Sequence, residues 1–283
     1  MVRQEPQQYG HNCVRWTLSQ IRQTCGWLHL HTDSGMHQLL ERLGITYKWG
    51  RDYAHSPDLA YLAKAEHIRA TLAQVRAEPD RYVLLYLDEM TFFRQPTLAR
   101  AYEAQGHQQP LAHRACFERN TKSRLLGALD ALTGKVLFRQ RSHIDIPCLT
   151  GFWSDICQAY PQADTIYVVL DNWPVHFHPD VLAPLQPQDT PFSLNPLPNW
   201  PQQPRTSHLP DRALLPIQLL PLPTYAPWLN PIEKLWRRLK QHVIHLHRLS
   251  HDWQALKSRV DHYLRQFADA SPALLRYVGL LPS

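Results

Sequence analysis

Twice in this chain a short apolar run stops abruptly on a carboxylate. Tyr82–Leu87 (YVLLYL) runs into Asp88 and Glu89, and Ile166–Leu170 (IYVVL) runs into Asp171. Consecutive apolar positions over that length are the pattern of strands covered on both faces, as in a sheet flanked by helices. Each carboxylate stands where its strand must leave the sheet. In α/β sheets that is where ligand and catalytic groups gather, because the scaffold behind is rigid and the edge is open. Asp171-Asn172-Trp173-Pro174 also reads as a turn, since Asp and Asn bond their own backbone and Pro fixes φ.

The neighbouring segments fit a sheet with helices on its faces. Leu125–Leu129 and Val136–Gln140 read as a β-hairpin with Gly134 at the turn. Leu149, Phe152, Trp153 and Ile156 form a helical stripe, Thr165–Leu170 and Ile217–Leu220 are strands, and Asn230–Ile244 is a long helix. Strand, hairpin, helix, strand, short helix, strand, helix is an α/β order. Residues 250–283 are expected as C-terminal helices packed on this domain, opened by Ser250 and by Ser271-Pro272. Between 182 and 214, prolines at 184, 187, 191, 196, 198, 201, 204 and 210 rule out a helix or a central strand. That stretch is expected as an extended surface insertion in a domain spanning 81–249.

Ahead of this domain, Thr17–Cys25 predicts a helix burying Trp16, Leu18, Ile21 and Cys25. A second helix carries Met36, Leu39, Leu40 and Leu43 at helical spacing, with Thr32, Asp33 or Ser34 as cap and Gly44 as stop. Two short helices joined by a tight link predict a helix-turn-helix unit over 1–55, with Ile45–Arg51 as a basic strand or wing. A plain helical hairpin is the alternative. His37, Gln38 and Arg42 lie off the apolar stripe and can face a groove or phosphates, and Lys48 and Trp49 fall in the wing. Residues 56–80 predict a charged helical connector.

Composition narrows the partners. The 283 residues are 44% hydrophobic, enough for a real core, and a formal charge of +6 leans toward an acidic partner such as nucleic acid. Five cysteines without paired spacing point to a reducing compartment. No apolar stretch approaches a membrane span and the N-terminus lacks a signal-peptide core. A cytoplasmic protein is expected, and Cys13, Cys25, His29 and His31 do not have zinc-site spacing.

A third carboxylate joins Asp88 and Asp171. Glu233 lies in the first turn of the helix after the last strand. Far apart in the chain, the three meet only if the strands of Asp88 and Asp171 are neighbours. Crowded carboxylates stay ionised near neutrality only when cations offset their repulsion, and hard oxygen ligands favour Mg2+, with Mn2+ as substitute. Two such ions ~3.5–4 Å apart can activate water and stabilise a leaving 3′ oxygen. Glu233 has a structural alternative, because Asn230-Pro231-Ile232-Glu233 is a capping-box start and Arg237 stands one turn on.

IYVVLDNWPVH and LLPLPTYAPWLNPIEKLWRRLK, with YVLLYLDEM upstream, resemble the catalytic core of DDE transposases of the mariner superfamily, specifically the bacterial insertion-sequence six-thirty family. RWTLSQIRQ through LLERLGITYKWGR is similar to that family's second helix-turn-helix, so the resemblance covers nearly the whole chain. It implies a ribonuclease-H-like fold with Asp88, Asp171 and Glu233 as the catalytic, metal-binding triad. It further implies cleavage at transposon ends in double-stranded DNA, joining of 3′-OH ends to target DNA, a TA target preference, a homodimer in the synaptic complex and a nucleoid-associated bacterial setting. Family members carry a further helix-turn-helix ahead of this one; the present chain begins after it, as expected for a truncated copy or for one of two reading frames. Their Asp-to-Glu spacing is also shorter than the one here.

Around the triad, Asn172 is a candidate for orienting a ligand or water and His176 for meeting a phosphate or carboxylate, with a plain structural hydrogen bond as the alternative for His176. Arg237, Arg238, Lys240 and Arg248 are candidates for a phosphate track on the long helix, and Tyr225, Trp228 and Asn230 for shaping the approach of DNA. Glu89 receives no role. A catalytically silent DNA-binding relic and a ribonuclease-H-like nuclease of other specificity remain as rival readings.

Overall fold

Thr17 opens the first helix through a reciprocal cap. Its hydroxyl accepts from Gln20 N at 3.3 Å, and its own N–H donates to Gln20 Oε1 at 3.0 Å. This computed structural model describes residues 2, 4–47, 56–106, 110–194, 197–201, 203–205 and 213–282. The chain divides into two units, Met1–Ala54 and His55–Ser283.

In the first unit, α1 (Leu18–Thr24) and α2 (Asp33–Arg42) pack through Ile21 and Met36, and Arg22 pairs with Asp33 at 3.1 Å. Of the three candidate caps, Thr32 takes the role by accepting from Gly35 N, and Gly44 follows the last turn at φ 71°. The link is longer than the tight turn expected: a 3-10 turn at Gly26–Leu28 and His29 at φ 52° intervene. Trp16, Leu18, Cys25, Leu39 and Leu40 are only part-buried and Leu43 is exposed, so the apolar stripe is not sealed within this unit. Lys48 and Trp49, placed in the expected wing, lie outside the described residues.

The second unit begins with α3 (Tyr61–Ala77), which buries Ile68, Thr71 and Val75. Rather than linking two bodies, it joins the core of this one, where Ile68 and Val75 pack with Leu84 and Tyr86. The strands are β1 (Tyr82–Phe93), β2 (Lys122–Asp130), β3 (Val136–Arg141), β4 (Thr165–Leu170) and β5 (Ile217–Pro221), with α4 (Ile146–Ala159) before β4 and the short α5 (Pro179–Leu182) after it. They form one sheet in the order β3-β2-β1-β4-β5. The first three are antiparallel and the last three parallel.

Strand alternation sorts the core into two layers. Leu84, Tyr86, Met90 and Phe92 of β1 face one side and pack with α6 (Ile232–Leu239), α7 (Trp253–Arg265) and α8 (Pro272–Val278). Leu85 and Leu87 face the other, against Leu149, Phe152, Trp153 and Ile156 of α4 and Val181 of α5. Gly134 turns the hairpin at φ 74°, and a Cβ there would meet Ser271 O at 2.6 Å, so both conformation and space require glycine. The expected long helix is shorter: α6 ends at Leu239 and a π-helical turn follows over Lys240–Ile244, which leaves Arg248 beyond the helix.

The proline-rich insertion does not loop away. Its described part runs along the outer edge of β5, where Leu185 bridges Leu215. Gln188 uses its side-chain amide as a substitute peptide group: Nε2 donates to Ile217 O at 3.2 Å and Oε1 accepts from Leu219 N at 2.7 Å. Farther on, Arg205 N donates to the buried Asp180 at 2.7 Å, and the Trp200 ring meets His178 tilted at 60° with centroids 4.7 Å apart. Proline lacks the N–H to pair as a strand, so a glutamine side chain blunts an edge that would otherwise offer its ladder to another chain. Gln188→Ala is expected to cost about 1–3 kcal/mol in urea unfolding by leaving two backbone groups unpaired, and to raise self-association. Unchanged stability together with unchanged monomer content would show that the edge is protected by other means.

Candidate active site

β1 and β4 are parallel neighbours whose pairing ends with Tyr86 opposite Val169, so Asp88 and Asp171, each two residues further on, follow the same end of that pairing. β4 ends at Leu170, so Asp171 leaves the sheet there, as its sequence suggested. β1 does not stop at Asp88. It runs on to Phe93 because β2 pairs with it throughout, with Asp88 opposite Gly127. Asp88 is therefore an interior strand residue made accessible where β4 ends.

Glu233 sits in the first turn of α6, whose Ile232, Leu235, Trp236 and Leu239 are buried on the same side of the sheet as Tyr86. Asp88, Asp171 and Glu233 together line one cleft of about 430 Å3, along with Asn172, Trp173, Leu222, Thr224, Tyr225 and Asn230. The indole N–H of Trp236, itself 1% exposed, donates to Asp88 Oδ2 at 2.9 Å.

The electrostatics are those of crowded acids. Burial, reinforced by the negative charges of Glu233, Glu89 and Asp171, pushes the Asp88 carboxyl up to about 8. Burial also raises Glu233, with Asp171 adding to the rise while Lys240 and Arg237 oppose it. Asp171 goes the other way: burial alone would raise it, but the hydrogen bond and charge of His176, with the Trp173 N–H on Oδ1 at 2.9 Å, hold it below the usual carboxylate range. A divalent cation inverts this balance, because it favours every ionised carboxylate around it. The donor set of hard oxygens suits Mg2+ or Mn2+.

Glu89 alternates to the opposite face of β1 from Asp88 and meets His176, which is fully buried. His176 Nε2 lies 2.9 Å from Glu89 Oε1 and Nδ1 lies 3.3 Å from Asp171 Oδ1. Burial would lower this imidazole, but the two carboxylates push it up to about 10. Glu89, Asp171 and His176 also bring their ligand atoms within 4.8 Å of one another, close enough to hold a metal ion. With no cation bound, the two carboxylates favour the protonated ring. Through the buried His176 the trio bridges β1 to the end of β4, and Asp88 and Glu233 line the cleft beside Asp171.

Other residues are placed as follows. Asn172 lines the cleft, and its Nδ2 donates to Leu222 O at 2.7 Å, which pins the loop after β5. Thr224 of that loop is held by Asp58, which accepts from its N–H at 2.9 Å. Tyr225, at φ 54°, is 78% exposed on the lip. Trp228 is not core; it is half exposed and donates to the Tyr61 hydroxyl at 3.0 Å. Arg237 and Lys240 lie close enough to Glu233 to lower it, whereas the Arg238 guanidinium stacks 4.9 Å from the Tyr277 ring. Arg248 is exposed in the loop beyond. In the first unit, His37, Gln38 and Arg42 are all exposed on α2, with His37 3.7 Å from Glu41. The role of Glu89 was missed; its signal was the alternation that opposes it to Asp88, but its histidine partner is far away in sequence.

Residues 83–257 match a family described as DDE superfamily endonuclease. Over 268 residues the chain is 22% identical to the insertion element IS630 uncharacterized 39 kDa protein of Shigella sonnei, covering 93% of this chain and 68% of that protein. Among solved structures it is similar to the Mos1 mariner paired end complex with Mn, with a TM-score of 0.59 at 16% identity over 94% of this chain and 71% of that one. The Mos1 paired end complex with Mg gives 0.56 at 14% identity over 96% and 78%. At such identities the likeness speaks for the fold, and the five-stranded sheet with its flanking helices is ribonuclease-H-like as expected. No helix among the described residues is long and apolar enough to cross a membrane.

Proposed function

The chain belongs to the DDE superfamily endonuclease family, and on that premise we propose that it is a DNA transposase of the mariner superfamily that cuts phosphodiester bonds at transposon ends and joins the 3′-OH ends to target DNA. The observation that carries the reading is the meeting of Asp88, Asp171 and Glu233, from three separate segments, on one cleft. Asp88 and Asp171 are offered from adjacent strands of a rigid sheet, and Glu233 from the helix packed across it. These three hold Mg2+, or Mn2+ in its place. Two such ions, when bound, supply an activated water and a stabilised leaving 3′ oxygen.

The remaining residues position and hold. The Trp236 N–H and the Glu89–His176 bridge fix the rotamers of Asp88 and Asp171, so that little ordering remains when a cation is bound. Asn172 and the Asp58–Thr224 bond hold the loop bearing Tyr225 at the mouth, where its aromatic face can meet DNA. Arg237 and Lys240 near Glu233, and His37, Gln38, Arg42 and Lys48 of a helix-turn-helix unit, supply contacts to DNA. The substrate is double-stranded DNA bearing terminal inverted repeats, with a TA target and a homodimer in the synaptic complex; the two Mos1 structures it resembles are described as paired end complexes. The protein acts at the bacterial nucleoid, in the cytoplasm.

The test is a plasmid carrying candidate terminal repeats, incubated with the chain in Mg2+ and in EDTA. Repeat-dependent nicking and strand-transfer products are expected only with Mg2+. Binding without cleavage in Mg2+ or Mn2+ would leave a DNA-binding relic. Cleavage that ignores the repeats and yields no joined product would leave a nuclease of other specificity.

A further inference from the structure

Asn230 precedes α6 at a position where its sequence, Asn-Pro-Ile-Glu, is built to cap that helix. Yet no side chain caps α6. The Asn230 amide turns away, and Nδ2 donates to Leu87 O at 3.0 Å, the carbonyl just before Asp88. Giving up a cap forgoes about 1 kcal/mol. The backbone of Asn230 meanwhile accepts from Glu233 N at 3.2 Å. One residue thus joins the strand of Asp88 to the helix of Glu233.

The bond to Leu87 also fixes which amide atom is which. A carbonyl oxygen only accepts, so the atom facing it is the nitrogen, and the other atom is an oxygen. That oxygen, Oδ1, is buried and has no hydrogen-bond donor among the described residues, in a side chain only 4% exposed. An orphaned buried acceptor costs about 1–3 kcal/mol. Asn230 lines the same cleft as Asp88, Asp171 and Glu233, whose ionised oxygens are themselves acceptors. An unpartnered amide oxygen on a residue of this cleft can be satisfied by a cation, and hard divalent cations take amide oxygens alongside carboxylates.

We infer that Asn230 Oδ1 is a further oxygen ligand of the cation held by Asp88 and Glu233, so that the cleft offers a neutral amide oxygen in addition to its three carboxylates. The inference rests on the metal-binding reading of the cleft given above. Mn2+ titration of the EDTA-stripped full chain, followed by the electron paramagnetic resonance signal of unbound Mn2+, tests it without DNA or turnover. Asn230→Ala is expected to weaken Mn2+ binding by about tenfold. Asn230→Asp keeps an oxygen facing the cleft while losing the donation to Leu87 O, and is expected to bind Mn2+ at least as tightly as the parent chain. Parental affinity in Asn230→Ala overturns the inference. So does an Asn230→Asp variant with clearly weaker affinity than the parent, because then only the tie to Leu87 matters; this arm decides even if the alanine variant does not fold. Asp88→Asn separates the two readings. If it abolishes Mn2+ binding while Asn230→Ala leaves it intact, the cleft is a metal site and Asn230 is no ligand. If the parent chain binds no Mn2+, or Asp88→Asn binds it unchanged, the metal reading of the cleft and this inference fall together.

Discussion

Asp88→Asn is expected to abolish Mg2+-dependent cleavage, by about three orders of magnitude or more (~4 kcal/mol of barrier), while making the metal-free protein more stable near neutral pH. Both effects have one cause. Burial, with the charges of Glu233, Glu89 and Asp171 adding to it, pushes the Asp88 carboxyl from 3.8 up to about 8. Between those two values the native chain retains a proton that the unfolded chain has released. Stability of the EDTA-treated protein therefore falls as pH rises from about 4 to about 8, by at most about 1.4 kcal/mol per unit, and levels off above that. Glu233, also raised, slopes the same way. Asparagine cannot ionise, still accepts the Trp236 N–H through its oxygen, and removes the Asp88 share of the slope. Urea unfolding in EDTA at pH 5, 6.5 and 8, for parent and variant, measures the difference. A variant less stable than the parent at pH 8, with the same slope, would show that Asp88 is an ordinary ionised carboxylate, and the crowded-acid account of the cleft would fail.

Gly127→Ala is expected to damage the cleft from the neighbouring strand. A Cβ at Gly127 would stand 2.5 Å from Trp236 Cη2 and 2.8 Å from Cζ2. Trp236 is packed in the core at 1% exposure and has no room to retreat. Overpacking of this kind costs about 1–3 kcal/mol. Its functional consequence comes through the same ring, because Trp236 donates to Asp88 Oδ2 and Gly127 is the cross-strand partner of Asp88. The methyl group should shift the donor and loosen the carboxyl, lowering the single-turnover nicking rate of the fully folded fraction by about tenfold or more. Trp236→Phe, which keeps a ring but not the N–H, should lower nicking with a smaller loss in urea stability than Gly127→Ala. Nicking at the parental rate in both variants would mean that Asp88 needs no support from α6.

These arguments draw unevenly on sequence and fold. The apolar runs before Asp88 and Asp171 announced buried strands, because no other solvent-excluded element of that length fits them. After Leu87 the pattern of β1 changes to alternation, with Met90 and Phe92 buried and Thr91 and Phe93 facing out. That signal for a longer strand was readable in principle but masked by Asp88 and Glu89. The capping box read at Asn230 misled for a definite reason: the same side chain has a competing acceptor, Leu87 O, that is remote in sequence. Prolines excluded regular structure from 182–214, yet nothing local foretells that Gln188 would lend its amide to β5.

By itself the sequence determined what is local: where chain segments are apolar enough to be buried, where the hairpin turn falls, and where β4 ends on Asp171. Only the tertiary structure decided what depends on pairing across distance. It brought Asp88 and Asp171 from neighbouring parallel strands to one cleft, turned Glu89 to His176 on the opposite face, and drew Asn230 from its cap to Leu87. Side-chain chemistry is carried by each residue alone, but register, face and hydrogen-bond partner are properties of pairs, and in this cleft the pairs are closed by folding.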